Sequence, residues 1–256
     1  MLRFRVIPIL LMQDSGLVKG VKFKNHKYVG DPINAVKIFN DKEVDELVFL
    51  DIEATKKKLD PNYSLISDIA TEAFIPFAYG GGINNVQQAA KLFKLGVEKI
   101  VINTAAYENM QLIKDLAKEY GSSAVMVAVD FKKNFWGSYE GYVRSGTKKV
   151  TENIFDYIKK IEDHGAGELV VSSIDRDGTG KGYDLDFLSE VSKCVNIPVV
   201  ALGGASGLDD FKKAILQAKV SAVAAGDYFV FKGKHKAVLI TYPNYNELEK
   251  ILSSNE

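Results

Sequence analysis

The chain is expected to fold as a single closed (β/α)8 (TIM) barrel with a two-fold half-barrel repeat, and three observations predict this. Its 256 residues match the usual size of such barrels, about 250. Eight apolar runs of strand length alternate with helix-period segments along the whole chain. The third observation is an internal repeat. Glu46-Leu47-Val48 recurs as Glu168-Leu169-Val170, Ile75-Pro76 as Ile197-Pro198 and Gly81-Gly82 as Gly203-Gly204, each 122 residues later. No linker rich in Pro, Gly or Ser divides the chain, so residues 1–256 read as one domain, with half-barrels near 1–122 and 123–256. A doubly wound open sheet is the alternative; the equivalence of the two halves argues against it.

The elements follow in order. Strands are expected near 4–11, 46–51, 75–79, 98–103, 124–130, 168–173, 197–202 and 220–226. Helices are expected near 32–41, 62–73, 84–95, 108–120, 152–164, 184–193, 207–218 and 245–253. Asp31-Pro32 sets a capping carboxylate before a first-turn proline, and Asp60-Pro61 repeats the device. The segments Gln13–Gly30 and Lys132–Lys149 read as long loops. In a barrel both lie on the C-terminal face, where active sites are built.

Bulk composition narrows the function. Hydrophobic residues make up 46% of the chain, and 33 basic side chains balance 33 acidic ones. A broad footprint for nucleic acid or anionic membrane is therefore not expected. Lys56-Lys57-Lys58 reads as solvated loop charge. Cys194 is the only cysteine, so no internal disulfide can form, and it reads as packing. No leader pattern and no apolar run of about 18 residues occurs, so a cytoplasmic protein is expected. The three histidines lack metal-ligand spacing, and neither a metal nor a cofactor is expected.

Chemistry is expected at strand ends. Gly81-Gly82 and Gly203-Gly204 each follow a strand and precede a helix, where backbone N–H groups can close on a phosphate. Asn103-Thr104 would complete the first cradle, Ala225-Gly226 the second, and Asp177-Gly178 would reach the second from a neighbouring strand. Asp51, Asp130 and Asp175 end strands and are acid–base candidates; capping of the next turn is the competing role, expected for at least one. Asp130 closes the apolar run from Ala124 to Val129 and is the best catalytic candidate. At the other end, strand alternation puts Arg5, Glu46, Lys99 and Glu168 on inward-facing positions at strand starts. Their alternating signs would let a closed ring neutralise itself; charges frayed into solvent are the competing reading. The segment Phe231–Tyr242, with Gly233-Lys234-His235-Lys236, fits an ordinary exit loop and a cationic cover over the second cradle equally well.

Over essentially its whole length the chain resembles the cyclase subunit of imidazole glycerol phosphate synthase, the HisF family. The specific matches are Val18-Lys19-Gly20, Gly30-Asp31-Pro32, the run from Asp45 to Ile52, Gly80-Gly81-Gly82-Ile83, Ile102-Asn103-Thr104-Ala105-Ala106 and the run from Ser173 to Thr179. The resemblance implies a HisH-like glutaminase partner that docks on the N-terminal barrel face near Glu98 and releases ammonia into the barrel. It makes Arg5, Glu46, Lys99 and Glu168 an ammonia gate, Lys19 a loop residue closing over a phosphorylated small-molecule ligand, and Asp130 one of two catalytic aspartates. The other aspartate of the family pattern is replaced here by Leu11, which cannot carry a proton. The runs Phe231–Pro243 and Lys27–Ala35 resemble instead the HisF paralogues associated with acetamidino modification of bacterial surface sugars, which implies a sugar amidotransferase as a further partner. Three other functions stay open: the histidine-biosynthesis cyclase itself, a non-catalytic ammonia conduit, and a related sugar-phosphate isomerase.

Overall fold

A computed structural model describes residues 4–252. Its eight barrel strands are β1 Arg5–Gln13, β2 Leu47–Asp51, β3 Phe77–Gly80, β4 Lys99–Ile102, β5 Val125–Lys133, β6 Glu168–Ser173, β7 Val199–Leu202 and β8 Ala222–Ala225. Neighbours pair in parallel in chain order. Two seams join the halves: β8 with β1, in the register Arg5↔Ala222, and β4 with β5, in the register Val101↔Met126. With β5 paired to β6 as well, no barrel strand is left with an open edge.

The repeat reaches the element bounds. Helix Pro32–Asp41 recurs as Ile154–Asp163, Tyr63–Glu72 as Leu185–Cys194, and β3 as β7, all 122 residues apart. Side-chain oxygens of Asp31, Asn62, Asn85, Asn153 and Asp184 accept N–H bonds in the first turns of their helices. One expected cap is corrected here. Asp60 does not start the second long helix; Asn62 does, and Asp60 instead accepts a 2.6 Å bond from Gln88 Nε2.

The two long excursions are not loops. Gly16–Val21 and Lys24–Gly30 form a hairpin that continues antiparallel from β1. Tyr139–Val143 folds back antiparallel on the extended end of β5, and Lys148–Lys149 on it in turn. The helix expected near 108–120 is two helices, Thr104–Glu108 and Gln111–Tyr120. The last helix is described over Tyr245–Leu252, and residue 253 of its expected span lies outside the described residues. Most of the core lies between sheet and helices, where Phe39, Phe49, Phe187 and Phe211 are fully buried. A second, smaller cluster fills the barrel itself, with Ile7, Ile9, Val48, Ala78, Val101, Met126, Val170, Val200, Ala222 and Ala224 inward. No helix among the described residues is long and apolar enough to cross a membrane.

Candidate functional site

At the N-terminal base of the barrel, four charges meet. Arg5 begins β1, Lys99 begins β4, Glu168 begins β6, and Glu46 directly precedes β2. Arg5 Nη1 lies 2.5 Å from Glu46 Oε2, and Arg5 Nη2 pairs with Glu168 Oε1. Lys99 Nζ lies 3.0 Å from Glu46 and 3.1 Å from Glu168. Each cation thus touches both anions. The glutamates are almost wholly buried and the cations keep partial access to the outside. Burial alone would discourage the Arg5 charge, but Glu168 and then Glu46 more than offset it, and its pKa is raised. Glu98, one residue before β4, is exposed on the same face.

At the opposite end a cavity opens, lined by strand ends and by both hairpins. Its floor is apolar: Ile9, Leu11, Leu50, Val101, Ala128, Val170 and Leu202. Leu11 packs on the interior cluster and presents only hydrocarbon to the cavity. Asp130 rises from this floor. Burial and the nearby Asp177 charge push its pKa up to about 7, against the pull of a hydrogen bond from Asn103 and the charge of Lys132. Asn103 Nδ2 donates to Asp130 Oδ2 at 3.3 Å and to Ala128 O at 2.9 Å, which fixes it beside the carboxyl. Lys19, buried on the first hairpin, forms a 2.7 Å ion pair with Asp177 across the mouth.

The remaining candidates divide. Gly81, Gly82, Asn103, Thr104, Asp51, Lys19, Asp177 and Gly226 line this one cavity, whereas Gly178, Gly203, Gly204 and Ala225 are not in its lining. Asp51 also caps: its Oδ1 accepts from Glu53 N and Ala54 N at 2.9 Å each. Asp175 is exposed and accepts from Lys133 N, away from the cavity. The glycines have a packing reason independent of any anion. A Cβ on Gly81 (φ +120°) would lie 2.5 Å from Asp51 O, and one on Gly203 (φ +94°) 2.7 Å from Ser173 O. Lining residues that the sequence reading passed over are Phe23, His26, Lys56 and Ser145. Lys56, read as solvated, is indeed exposed, but it stands at the cavity edge. The His26 pKa is lowered by burial and then by Lys56 and Lys19. No group of three or more potential metal ligands occurs among the described residues.

Residues 5–236 match the family described as histidine biosynthesis protein. Subunit hisF2 of imidazole glycerol phosphate synthase from Pseudomonas aeruginosa, a provisional designation, is 49% identical over 97% of this chain and 99% of its own. Subunit hisF3 from Vibrio vulnificus, also provisional, is 49% identical over 98% and 97%. The subunit HisF of Alkaliphilus metalliredigens is 39% identical over 90% and 91%.

Proposed function

The chain belongs to the histidine biosynthesis protein family, among its HisF-type imidazole glycerol phosphate synthase subunits, and from that premise we propose that it is the ammonia-accepting barrel of a glutamine amidotransferase system. A HisH-like glutaminase docks on the N-terminal face around Glu98. Ammonia passes the ring of Arg5, Glu46, Lys99 and Glu168, crosses the apolar inward side chains and reaches the cavity. There Gly81, Gly82, Asn103 and Thr104 hold the phosphate of a small ligand, with Lys56 and Lys19 at the rim. Asp130, with a pKa near neutrality, can hold or release a proton beside it. The nitrogen serves amidination of a bacterial surface sugar, with a sugar amidotransferase as the consuming partner.

One juxtaposition carries this reading: the charged ring is complete, while Leu11 removes one of the two acids that ring closure would need. Loss of one member of an acid–base pair typically costs about 10²–10⁴ in rate. The purified protein is to be mixed with the bis-phosphorylated cyclase substrate of histidine biosynthesis and ammonium, and separately with the glutaminase and glutamine. Glutaminase stimulation without efficient cyclisation is expected; turnover at an ordinary enzymatic rate would end the proposal. The histidine-biosynthesis cyclase is the second reading, favoured by the neutral-range Asp130 beside Asp177 in the same cavity. Leu11→Asp separates the two, since a complete cyclase gains nothing from it.

A further inference from the structure

The two halves differ where their symmetry predicts a second anion site. Because the flanking elements keep one offset, the loop after β2 and the loop after β6 have equal length, and Lys56 corresponds to Gly178. After β4 and β8 come the short helices Thr104–Glu108 and Asp227–Val230, whose first residues, Thr104 and Asp227, correspond. Lys56 and Thr104 both line the cavity; Gly178 and Asp227 do not. In the first half, a cation and a hydroxyl-bearing side chain stand where an anion would bind. In the second half, a carboxylate and a bare glycine stand in the equivalent places.

That carboxylate is held down by an added hairpin. Helix Thr104–Glu108 leads almost directly into Gln111–Tyr120, but Asp227–Val230 leads into the hairpin Phe231–Lys232 and Ala237–Val238. Lys236, at its turn, donates to Asp227 Oδ2 at 2.7 Å and to Gly178 O at 3.1 Å, tying together the two loops that would grip a phosphate. Asp227 Oδ1 is buried without a hydrogen-bond partner. The other parts are also covered. Lys19 Cε would lie 3.0 Å from a Cβ on Gly226, and Gly182 O 2.2 Å from one on Gly204. Arg176 is turned toward Asp184 and the carbonyls of Lys181 and Gly182. Lys19 answers Asp177 as Lys236 answers Asp227, so the second cradle has no surplus positive charge.

We infer that Asp227 and Lys236 close the second anion cradle and that the barrel takes a phosphomonoester, a ligand with one phosphate, gripped at Gly81, Gly82 and Thr104. This rests on the phosphate reading of the first cradle given above. It also selects between the two readings of the Gly233–Lys236 turn: it is a cover, but one that brings its own anion. Calorimetric titration of the full chain with a ribose monophosphate and the matching ribose bisphosphate tests it. The wild type is expected to bind both, with affinities within about threefold. Asp227→Asn, which keeps the shape and removes the charge, and the pair Asp227→Ala/Lys236→Ala are expected to prefer the bisphosphate by about tenfold. A wild type that already prefers the bisphosphate about tenfold, or variants with unchanged preference, would overturn the inference and leave the first cradle standing. Binding of neither probe would overturn both, while stimulation of the glutaminase would still report on the ammonia reading alone.

Discussion

Glu46 and Glu168 sit at 3% and 4% exposure, and Arg5 and Lys99 each pair with both. Removing one cation from such a cluster strands buried charge, which typically costs about 3–5 kcal/mol. Arg5→Ala is therefore expected to lower stability by that amount in urea unfolding. A loss below about 1 kcal/mol would contradict the account. Asp130 provides the second residue-scale prediction. Its folded pKa, about 7, lies above the ordinary carboxylate range, so the folded state binds the extra proton. The sign follows: the protonated group costs nothing at low pH, and stability is lost as pH rises from about 4 through 7. Asp130→Asn should thus raise the melting temperature at alkaline pH, by roughly 1–4 kcal/mol of stability, with the gain fading toward pH ~4. Melting curves across that range would show it, and a gain that grew on acidification would refute it. Where these side chains lie was legible from sequence, the ring through strand parity and Asp130 through the apolar run that it ends. Phe23, His26 and Ser145 were not, because they belong to neither a strand end nor a glycine motif.

Among the elements, the hairpins explain that omission. Their turns fall at Lys22-Phe23 and around Arg144-Ser145, all four with φ between +52° and +60°. Such turns usually announce themselves by Asn-Gly or Asp-Gly, and side chains in this region of backbone space cost roughly 1–2 kcal/mol per residue. The chain tolerates the conformation without the usual signal, and Phe23 and Ser145 are thereby carried to the cavity wall. The strand–glycine joints, by contrast, were visible. They read as phosphate grips, but the structure adds a demand from packing, since the last residue of the preceding strand, Asp51 or Ser173, lies directly against each glycine and leads into the crossing loop. Gly81→Ala and Gly203→Ala are accordingly expected to destabilise by similar amounts, about 2–4 kcal/mol, through strained backbone plus a clash with a neighbouring carbonyl. Gly137 has φ +83° but open space around it, so Gly137→Ala should cost only about 1 kcal/mol. Equilibrium unfolding of the three variants settles the matter. Equal costs at all three positions would mean that conformation alone, and not the crossing loop, requires the glycines.

For the whole molecule, the 122-residue offset announced two similar halves, and the absence of a dividing linker reads as one domain. The geometry makes them one. Both seams are continuous parallel ladders, β8 to β1 and β4 to β5. The charged ring crosses the division as well: Arg5 and Lys99 from the first half both pair with Glu168 from the second. The interior cluster draws on both halves in the same way, with Ile7, Val48 and Val101 against Met126, Val170 and Ala224. Opening either half alone would expose two strand edges, uncover the interior and strand charges of the ring, so partial unfolding has no inexpensive intermediate. We therefore expect residues 1–122 and 123–256 to be a structural repeat but not separate folding units. Hydrogen exchange under increasing urea is expected to release the amides of β1–β4 and β5–β8 together, and Arg5→Ala should advance both sets equally. Earlier release of one half, or an Arg5→Ala effect confined to the first, would show that the seams are weaker than the ladders within each half and that the repeat still folds as two.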